Sequence, residues 1–361
     1  MNTLAVKLAE RIAQNGPLTI EDYMTACLLD PEHGYYTTRD PFGAPGDFIT
    51  APEISQMFGE LIGLWALMLW MQAGEPSPAK LVELGPGRGT LMADALRAIE
   101  SATKAHAPFD VHLVEASPTL RKRQNATLGD RAVHWHDRLE DVPGDTPRIV
   151  IANEFFDALP IRQLVATPQG WRERMVDVVD DRLQARLSDE PATASLTEDL
   201  PDGKTGQVAE AAPSRNVQVA RIAEDIVRHG GAALLIDFTD DALPLVDTFQ
   251  AVRSHSFADR FDNPGEADLA SAVDFSAFAQ HTRSAGAVTH GPVCQGLFLQ
   301  RLGIIQRAWS LKAKATPEQA TELDTAVDRL VSTDGMGRDF RVMALTAPGW
   351  PRPEGFGGTQ A

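Results

Sequence analysis

The chain has 361 residues, 43% of them hydrophobic and 23% charged, a balance that excludes a disordered or fibrous chain and can bury one large core, or one core with a small satellite. Its 33 basic and 50 acidic side chains give a formal net charge of −17, which disfavours extended contacts with a nucleic-acid backbone and suits a basic protein substrate. Cys27 and Cys294 stand far apart and fit no metal-ligand or C-x-x-C spacing, so neither a disulfide scaffold nor a zinc site is expected and a reducing compartment fits.

Residues 3–30 predict two helices, with a break at Asn15-Gly16-Pro17 and Thr19 capping the second. The opening MNTLAVKLAERIAQ is amphipathic and lacks the apolar stretch of a cleavable signal, and no transit peptide is read in it. The longest apolar run, Leu61 to Met71, is about half of the ~20 residues a bilayer needs, so a cytoplasmic chain with no membrane span is expected. Residues 31–52, rich in Gly, Pro, Tyr and Asp, form a loop longer than ordinary connections, of the kind that serves as a lid or binding segment. An apolar helix over 53–73 ends at Glu75-Pro76-Ser77-Pro78.

From Lys80 the pattern alternates: strand 81–84, helix 90–101, strand 111–115, helix 118–128, a short strand at 133–135 and strand 148–152. Its natural solution is a parallel sheet covered on both faces. IRQLVAT, WRERMVDVV and RLQARLS, separated by turns at Pro168-Gln169-Gly170 and Asp180-Asp181, predict an antiparallel meander inserted after the fourth core strand, with a polar surface loop over 189–206. Helix 214–229 and the strand AALLIDF resume the core, and 287–290 with 340–346 are expected to form its closing hairpin. The expected organisation is an N-terminal helical extension and lid loop (1–76), a core of 77–165 and 214–361, and an insert of 166–213.

The most informative stretch is AKLVELGPGRGTL, residues 79–91, where an apolar strand ends in an acid and runs into a glycine-rich turn opening a helix. Gly85, Gly87 and Gly89 remove Cβ atoms where the backbone turns and a ligand approaches, and the helix from Thr90 aims free N–H groups at an anion. A dinucleotide fingerprint wants glycine at 85, 87 and 90, but position 90 is Thr, and Glu83 supplies the acid of E-x-G-x-G-x-G. This favours S-adenosyl-L-methionine over a nicotinamide cofactor. Glu115, ending the next strand, is placed to bind two ribose hydroxyls, a role common to both cofactor classes.

The second stretch is IVIANEFFDALP, residues 149–160, whose loop faces the crevice at the carboxyl edge of an open α/β sheet. Asn153, Glu154 and Asp157 are the catalytic candidates. Glu154 and Asp157 stand three residues apart, so one tight turn could present both carboxylates to a planar guanidinium. An arginine nucleophile needs such groups because its pKa lies above ~12. Two alternatives stay open: Asp157 capping a helix with Glu154 in solvent, and Asn153 binding a different amine acceptor. His33 and His255, lone loop histidines, are read as structural.

GDFITAPEISQMFGE at 46–60, VELGPGRGTLMADALR at 82–97, ANEFFDALP at 152–160 and QGLFLQRLGI at 295–304 together resemble the MidA family of S-adenosylmethionine-dependent methyltransferases. That family contains the mitochondrial complex I assembly-factor arginine methyltransferases and their bacterial relatives. The resemblance runs in order over nearly the whole chain. It implies a class I methyltransferase fold, α/β and Rossmann-like, with a seven-stranded mostly parallel sheet. For the mitochondrial members it implies symmetric dimethylation of an arginine on the complex I subunit carrying the quinone-site region, hence a protein substrate such as a quinone-oxidoreductase subunit.

Carried over by position, Gly85, Gly87 and Gly89 cradle the methionine part of the cofactor, Glu115 holds the ribose, and His136-Asp137 lie near the adenine. The segment at 46–56 closes over the cofactor through Asp47, Thr50, Glu53 and Gln56, although Glu53 and Gln56 also read as the start of a helix. Asp237-Phe238-Thr239 and Asp268-Leu269-Ala270 depart from the family's usual Asp-Tyr-Gly and Asp-Leu-Thr, which bears on the acceptor more than on the cofactor. The expected chemistry is in-line methyl transfer without a metal. Two rivals are a non-catalytic assembly protein that binds the cofactor as a structural ligand, and a small-molecule or nucleic-acid methyltransferase. The oligomeric state, a homodimer included, is left open.

Overall fold

The computed structural model describes residues 1–38, 50–198 and 200–357. They gather into two compact units, one holding residues 50–155, 219–238 and 275–357, the other 1–38, 156–218 and 239–274.

The first unit is built on seven strands: β1 (Lys80–Leu84), β2 (Asp110–Val114), β3 (Val133–His136), β4 (Arg148–Asn153), β5 (Gly231–Phe238), β6 (Val288–Cys294) and β7 (Phe340–Thr346). Their order is β6-β7-β5-β4-β1-β2-β3, parallel except that β7 runs antiparallel to both neighbours. The class I methyltransferase sheet expected from the sequence is therefore present. Its central strands read as continuous apolar runs because both faces are covered. Leu81, Leu113, Ile149, Ile151, Leu234 and Ile236 pack with Phe58, Trp65 and Met92 on one face. The alternate residues Val82, Val150, Ala233 and Leu235 are buried too.

The apolar helix predicted from residue 53 is two elements, a short turn at Ala51–Ile54 and a helix at Gln56–Gln72. The longer helix belongs with the sheet rather than with an N-terminal extension, because it packs directly on the helix Thr90–Thr103. Two glycines make the approach so close that a Cβ at Gly63 would lie 2.5 Å from Ala95 Cα and one at Gly59 2.7 Å from Asp94 Cβ. Beside them Glu60, almost fully buried, accepts two bonds from Arg307, at 2.7 and 3.0 Å, and one from Arg97 at 3.1 Å. The Arg307 fork matches the carboxylate plane and offsets the cost of burying the charge.

The second unit has its own core, and it explains why the three-part division expected from the sequence differs from the structure. The helices Thr3–Asn15 and Ile20–Leu29 do not stand alone. Between them Leu18–Thr19 pairs antiparallel with Met175–Val176 of the inserted strands. Leu4, Leu8, Ile12, Ile20 and Tyr23 then share one apolar cluster with Ile161, Val176, Leu183 and Phe249. Thr19 caps the second helix as predicted, accepting from Asp22 N at 3.0 Å. The meander forms at Arg162–Thr167, Gly170–Val179 and Arg182–Pro191, its last strand reaching into the expected surface loop, and Val208–Ala211 adds a further strand. A small sheet of Gln250–Arg253, Ser256–Ala258 and Asp268–Ala270 completes the unit. His255 occupies its hairpin turn at φ 60°, and Tyr36 Oη donates to Asp268 at 2.8 Å. No helix among the described residues is long and apolar enough to cross a membrane.

The contact at Gly63 makes a direct prediction. Gly63→Leu has to force the two helices apart, and an overpacked site of this kind costs about 1–3 kcal/mol. Thermal unfolding should show a lowered midpoint, and an unchanged midpoint would refute the close packing.

Candidate active site

The site forms at the carboxyl edge of the first unit's sheet, where ligands of open α/β folds bind. Every residue of β1 is buried, and its exit is a turn in which Gly85, Gly87 and Gly89 have φ of 60°, 52° and 80°. These left-handed values favour glycine. At Gly85 space adds a second demand, since a Cβ would lie 2.9 Å from the Phe155 ring. Gly89 begins the helix Thr90–Thr103, and no side chain among the described residues caps it, which leaves its first N–H groups as a candidate anion site.

Acidic side chains surround this turn in different environments. Glu83 is fully buried, its Oε2 has no hydrogen-bond partner among the described residues, and burial pushes its carboxyl up to about 8. Glu115, at the end of β2, accepts from Ser117 N at 2.8 Å through Oε1 and from Gln124 Nε2 at 3.0 Å through Oε2. Burial raises it above the usual carboxylate range, against those two bonds. Gln124 also donates to Gly87 O at 2.8 Å and accepts from Trp135 Nε1 at 2.9 Å, so one buried amide ties the glycine turn to the ribose candidate and to β3.

The segment preceding the Gln56–Gln72 helix is held against the turn. Glu53 accepts from Thr90 Oγ1 at 2.5 Å and lies 3.7 Å from Arg88 Nη1. Thr50 supplies the backbone carbonyl that opens the Ala51–Ile54 turn, accepting from Glu53 N at 2.9 Å. Gln56 is exposed, and Ser55 is the residue that caps the longer helix. Asp47 lies outside the described residues.

At the end of β4, Glu154 sits at φ 50°, a strained value for a residue with a side chain. Its N–H donates to Ile236 O at 2.8 Å, and its Oε1 accepts from Ala51 N at 3.0 Å and Asn153 Nδ2 at 3.2 Å. Asn153 is 9% exposed, and its Oδ1 has no partner among the described residues. Asp157 belongs to the second unit. There its carboxylate accepts from Ala158 N at 2.8 Å, its carbonyl accepts from Arg215 Nη2 and Ser271 N, and burial pushes its carboxyl up to about 6. At the edge of the sheet His136 ends β3 with Nε2 2.8 Å from His112 Nδ1, and Asp137 pairs with Arg121 at 2.6 Å.

The model of a family described as S-adenosyl-L-methionine-dependent methyltransferases matches residues 61–293. The chain belongs to this family, the MidA methyltransferases. It is 38% identical over 375 residues to the protein arginine methyltransferase NDUFAF7 homolog, mitochondrial, of Drosophila melanogaster, covering 95% of this chain and 84% of that one. The human protein arginine methyltransferase NDUFAF7, mitochondrial, is 36% identical over 94% of this chain and 82% of its own. A crystal structure from Burkholderia thailandensis bound to S-adenosyl-homocysteine superposes with a TM-score of 0.83 at 27% identity, covering 98% and 92% of the two chains.

The residues of this MidA methyltransferase fit the family's cofactor. The glycine cradle, the helix start at Gly89 and the buried oxygens of Glu83 and Asn153, the last three without side-chain partners among the described residues, lie around one edge. Sequence reasoning named most of these groups but not Gln124, Ser117, Arg88, Thr90 and Phe155 as their neighbours, which touch or crowd the named ones. Gln124 had one faint signal, a polar residue on the inward face of the helix Pro118–Leu128 beside Leu120 and Leu128.

Two measurements test the site. Gly87→Val places a branched side chain at φ 52° in the cradle and should abolish S-adenosylhomocysteine binding in calorimetry while circular dichroism remains that of the wild type. Glu83, raised from 4.5 to about 8, keeps a proton that the unfolded chain releases, so its contribution is full below 4.5 and is lost as pH rises through about 8. The melting temperature of the wild type should therefore fall more steeply across that window than that of Glu83→Gln. Parallel curves would show that Glu83 is not held neutral.

Proposed function

We propose that this methyltransferase acts on protein and transfers the methyl group to a guanidinium nitrogen of an arginine. The observation that carries the reading is the Asn153-Glu154 pair at the end of β4. Its carboxylate is preset by Ala51 N and the Asn153 amide, and beside it stands a buried acceptor oxygen, Asn153 Oδ1, with no partner among the described residues. A carboxylate next to a bare amide oxygen suits a planar group that offers several N–H donors. Relatives spanning 94–95% of the chain that are named protein arginine methyltransferases support the same reading.

When bound, S-adenosylmethionine supplies a methyl group already activated by its sulfonium charge. The work left to the chain is orientation and removal of water. Glu154 receives two guanidinium N–H groups and draws the positive charge toward them, which leaves the third nitrogen the better nucleophile. Asn153 Oδ1 accepts a further N–H and fixes the plane. Glu154 leaves the strand at a strained φ of 50°, and the Ala51 N–H holds its carboxylate in place. Asp157 is assigned to its own unit, where with Arg215 it anchors the chain leaving residue 156.

The acceptor is proposed to lie on a subunit of a quinone-oxidoreductase-type complex, in line with the family resemblance. The relatives' names carry the word mitochondrial. For this chain a cytoplasmic site of action is proposed, since Cys27 and Cys294 are free thiols, which suits a reducing compartment.

Methyl-labelled S-adenosylmethionine, added with the purified protein to an extract lacking it, should label one or few protein bands, and hydrolysis should release the label as methylarginine. Glu154→Gln should slow that labelling about a hundredfold or more with cofactor affinity within about twofold of the wild type. Cofactor binding without transfer, or label in lysine, RNA or metabolites, would overturn the arginine reading.

A further inference from the structure

Strands β2 and β3 bring three imidazoles and a carboxylate onto one face of the sheet. The register sets His112 opposite His134 and Val114 opposite His136, and the two-residue period of a strand turns His112, His134 and His136 the same way. His112 stacks against each of the other two rings at 5.1 Å. It is only 2% exposed and both its nitrogens are engaged, Nε2 with Asp110 Oδ2 at 3.0 Å and Nδ1 with His136 Nε2 at 2.8 Å. A ring with both nitrogens spent in this way has none left for a metal.

The chemistry of the row fixes where the protons are. An ionised carboxylate only accepts, so His112 Nε2 donates to Asp110. A neutral imidazole has one donor and one acceptor, so His112 Nδ1 accepts and His136 Nε2 donates to it. The remaining nitrogen, His136 Nδ1, is left with its lone pair. One added proton reverses this. Whether the extra charge rests on His112 or on His136, a hydrogen still lies between the two rings, and His136 Nδ1 carries the other.

His136 ends β3, and its backbone carbonyl accepts from the backbone N–H of Glu115 at 2.9 Å, so the strand end that carries the ring adjoins the strand end that carries the acid assigned to the cofactor's ribose. We propose that His136 Nδ1 accepts from the exocyclic amino group of the cofactor's adenine, with Asp110 and His112 as positioning residues that fix its lone pair, so that adenine recognition is lost when this relay takes up a proton. The proposal rests on the S-adenosylmethionine reading of the site.

The charges around His136 come from every neighbouring element. Asp110 and His112 face it from β2, His134 from its own strand, Asp141 from the turn at Leu139–Asp141, and Arg121 from the helix Pro118–Leu128, with Asp137 following it and paired to Arg121. Burial, His134 and Arg121 pull His136 down, Asp141 and Asp110 pull it up, and the result is below the ordinary 6.5. His112 is lowered too, chiefly by burial, against the pull of Asp110. The neutral relay is therefore the resting form at neutral pH, and the change comes on the acid side of the usual histidine range.

The test compares S-adenosylhomocysteine with S-inosylhomocysteine, in which a carbonyl oxygen replaces the amino group. Calorimetry on the full chain between about pH 5 and 8 gives the ratio of their dissociation constants. Both ligands share ribose and amino-acid parts, so titration of Glu83 and Glu115 cancels in the ratio. The adenosyl form should be favoured roughly fivefold to tenfold at the upper end, and the preference should vanish or reverse at the lower end. Asp110→Ala and His136→Gln should each give a smaller ratio that no longer follows pH. In the wild type, ¹⁵N spectra of His136 should show Nδ1 without a proton at neutral pH.

A wild-type ratio that ignores pH, or a protonated Nδ1 at neutral pH, overturns the proposal without needing any variant to fold. So does an Asp110→Ala protein with the wild-type profile. Failure to bind S-adenosylhomocysteine at any pH would instead overturn the cofactor reading on which the proposal rests.

Discussion

Strand β1 is bonded on one side by β4 and on the other by β2, and every residue of it is buried. The chain must leave that position and start a helix within the few residues from Gly85 to Gly89, which only left-handed backbone achieves here. The rest of the site is arranged around the Cβ atoms this turn does without. Phe155 at the exit of β4 fills the space at Gly85, the backbone of Gln124 comes to within 3.4 Å of a Cβ at Gly89, and Glu53 reaches Thr90 at the helix start. Three elements distant in sequence thus meet because one strand must turn in a crowded place.

The environments of the surrounding acids follow from how each is bonded, and net charge does not describe them. Glu83 has an oxygen with no partner among the described residues and is pushed toward the neutral form, whereas at Glu115 burial, which also raises it, is opposed by a backbone N–H and an amide. Glu53 and Glu154 are engaged with the same short turn, one through its own place in it and the other through Ala51 N. Carboxylates of one residue type are in this way given separate tasks by desolvation and by donors.

Much of the first unit was legible in the sequence. Apolar runs at 81–84, broken only by Glu83, and at 149–152 and 232–236, each bounded by polar or glycine residues, point to a buried parallel sheet, and the glycine pattern marked its candidate ligand edge. The second unit was legible only in pieces. Leu18–Thr19 is too short to show a period, and its partner lies more than 150 positions away, so nothing local announced that the first helices and the inserted strands share a core. The same limit separated Glu154 from Asp157, three residues apart in the chain yet members of different units. His112 escaped for another reason. Polar residues inside strands carry no motif, and the row it forms with Asp110 and His136 exists only once β2 and β3 are in register.

Ser55 is the single residue between positions 51 and 72 that is not helical, extended at φ −161° and ψ 137° between the short turn and the long helix. The long helix cannot yield, because Gly59 and Gly63 press it onto the helix that the glycine loop opens. The short turn touches the site through Glu53 and Ala51. Any swing of that turn over the cofactor edge pivots on the two backbone torsions of one serine, and the hydroxyl that caps the helix behind it fixes the axle.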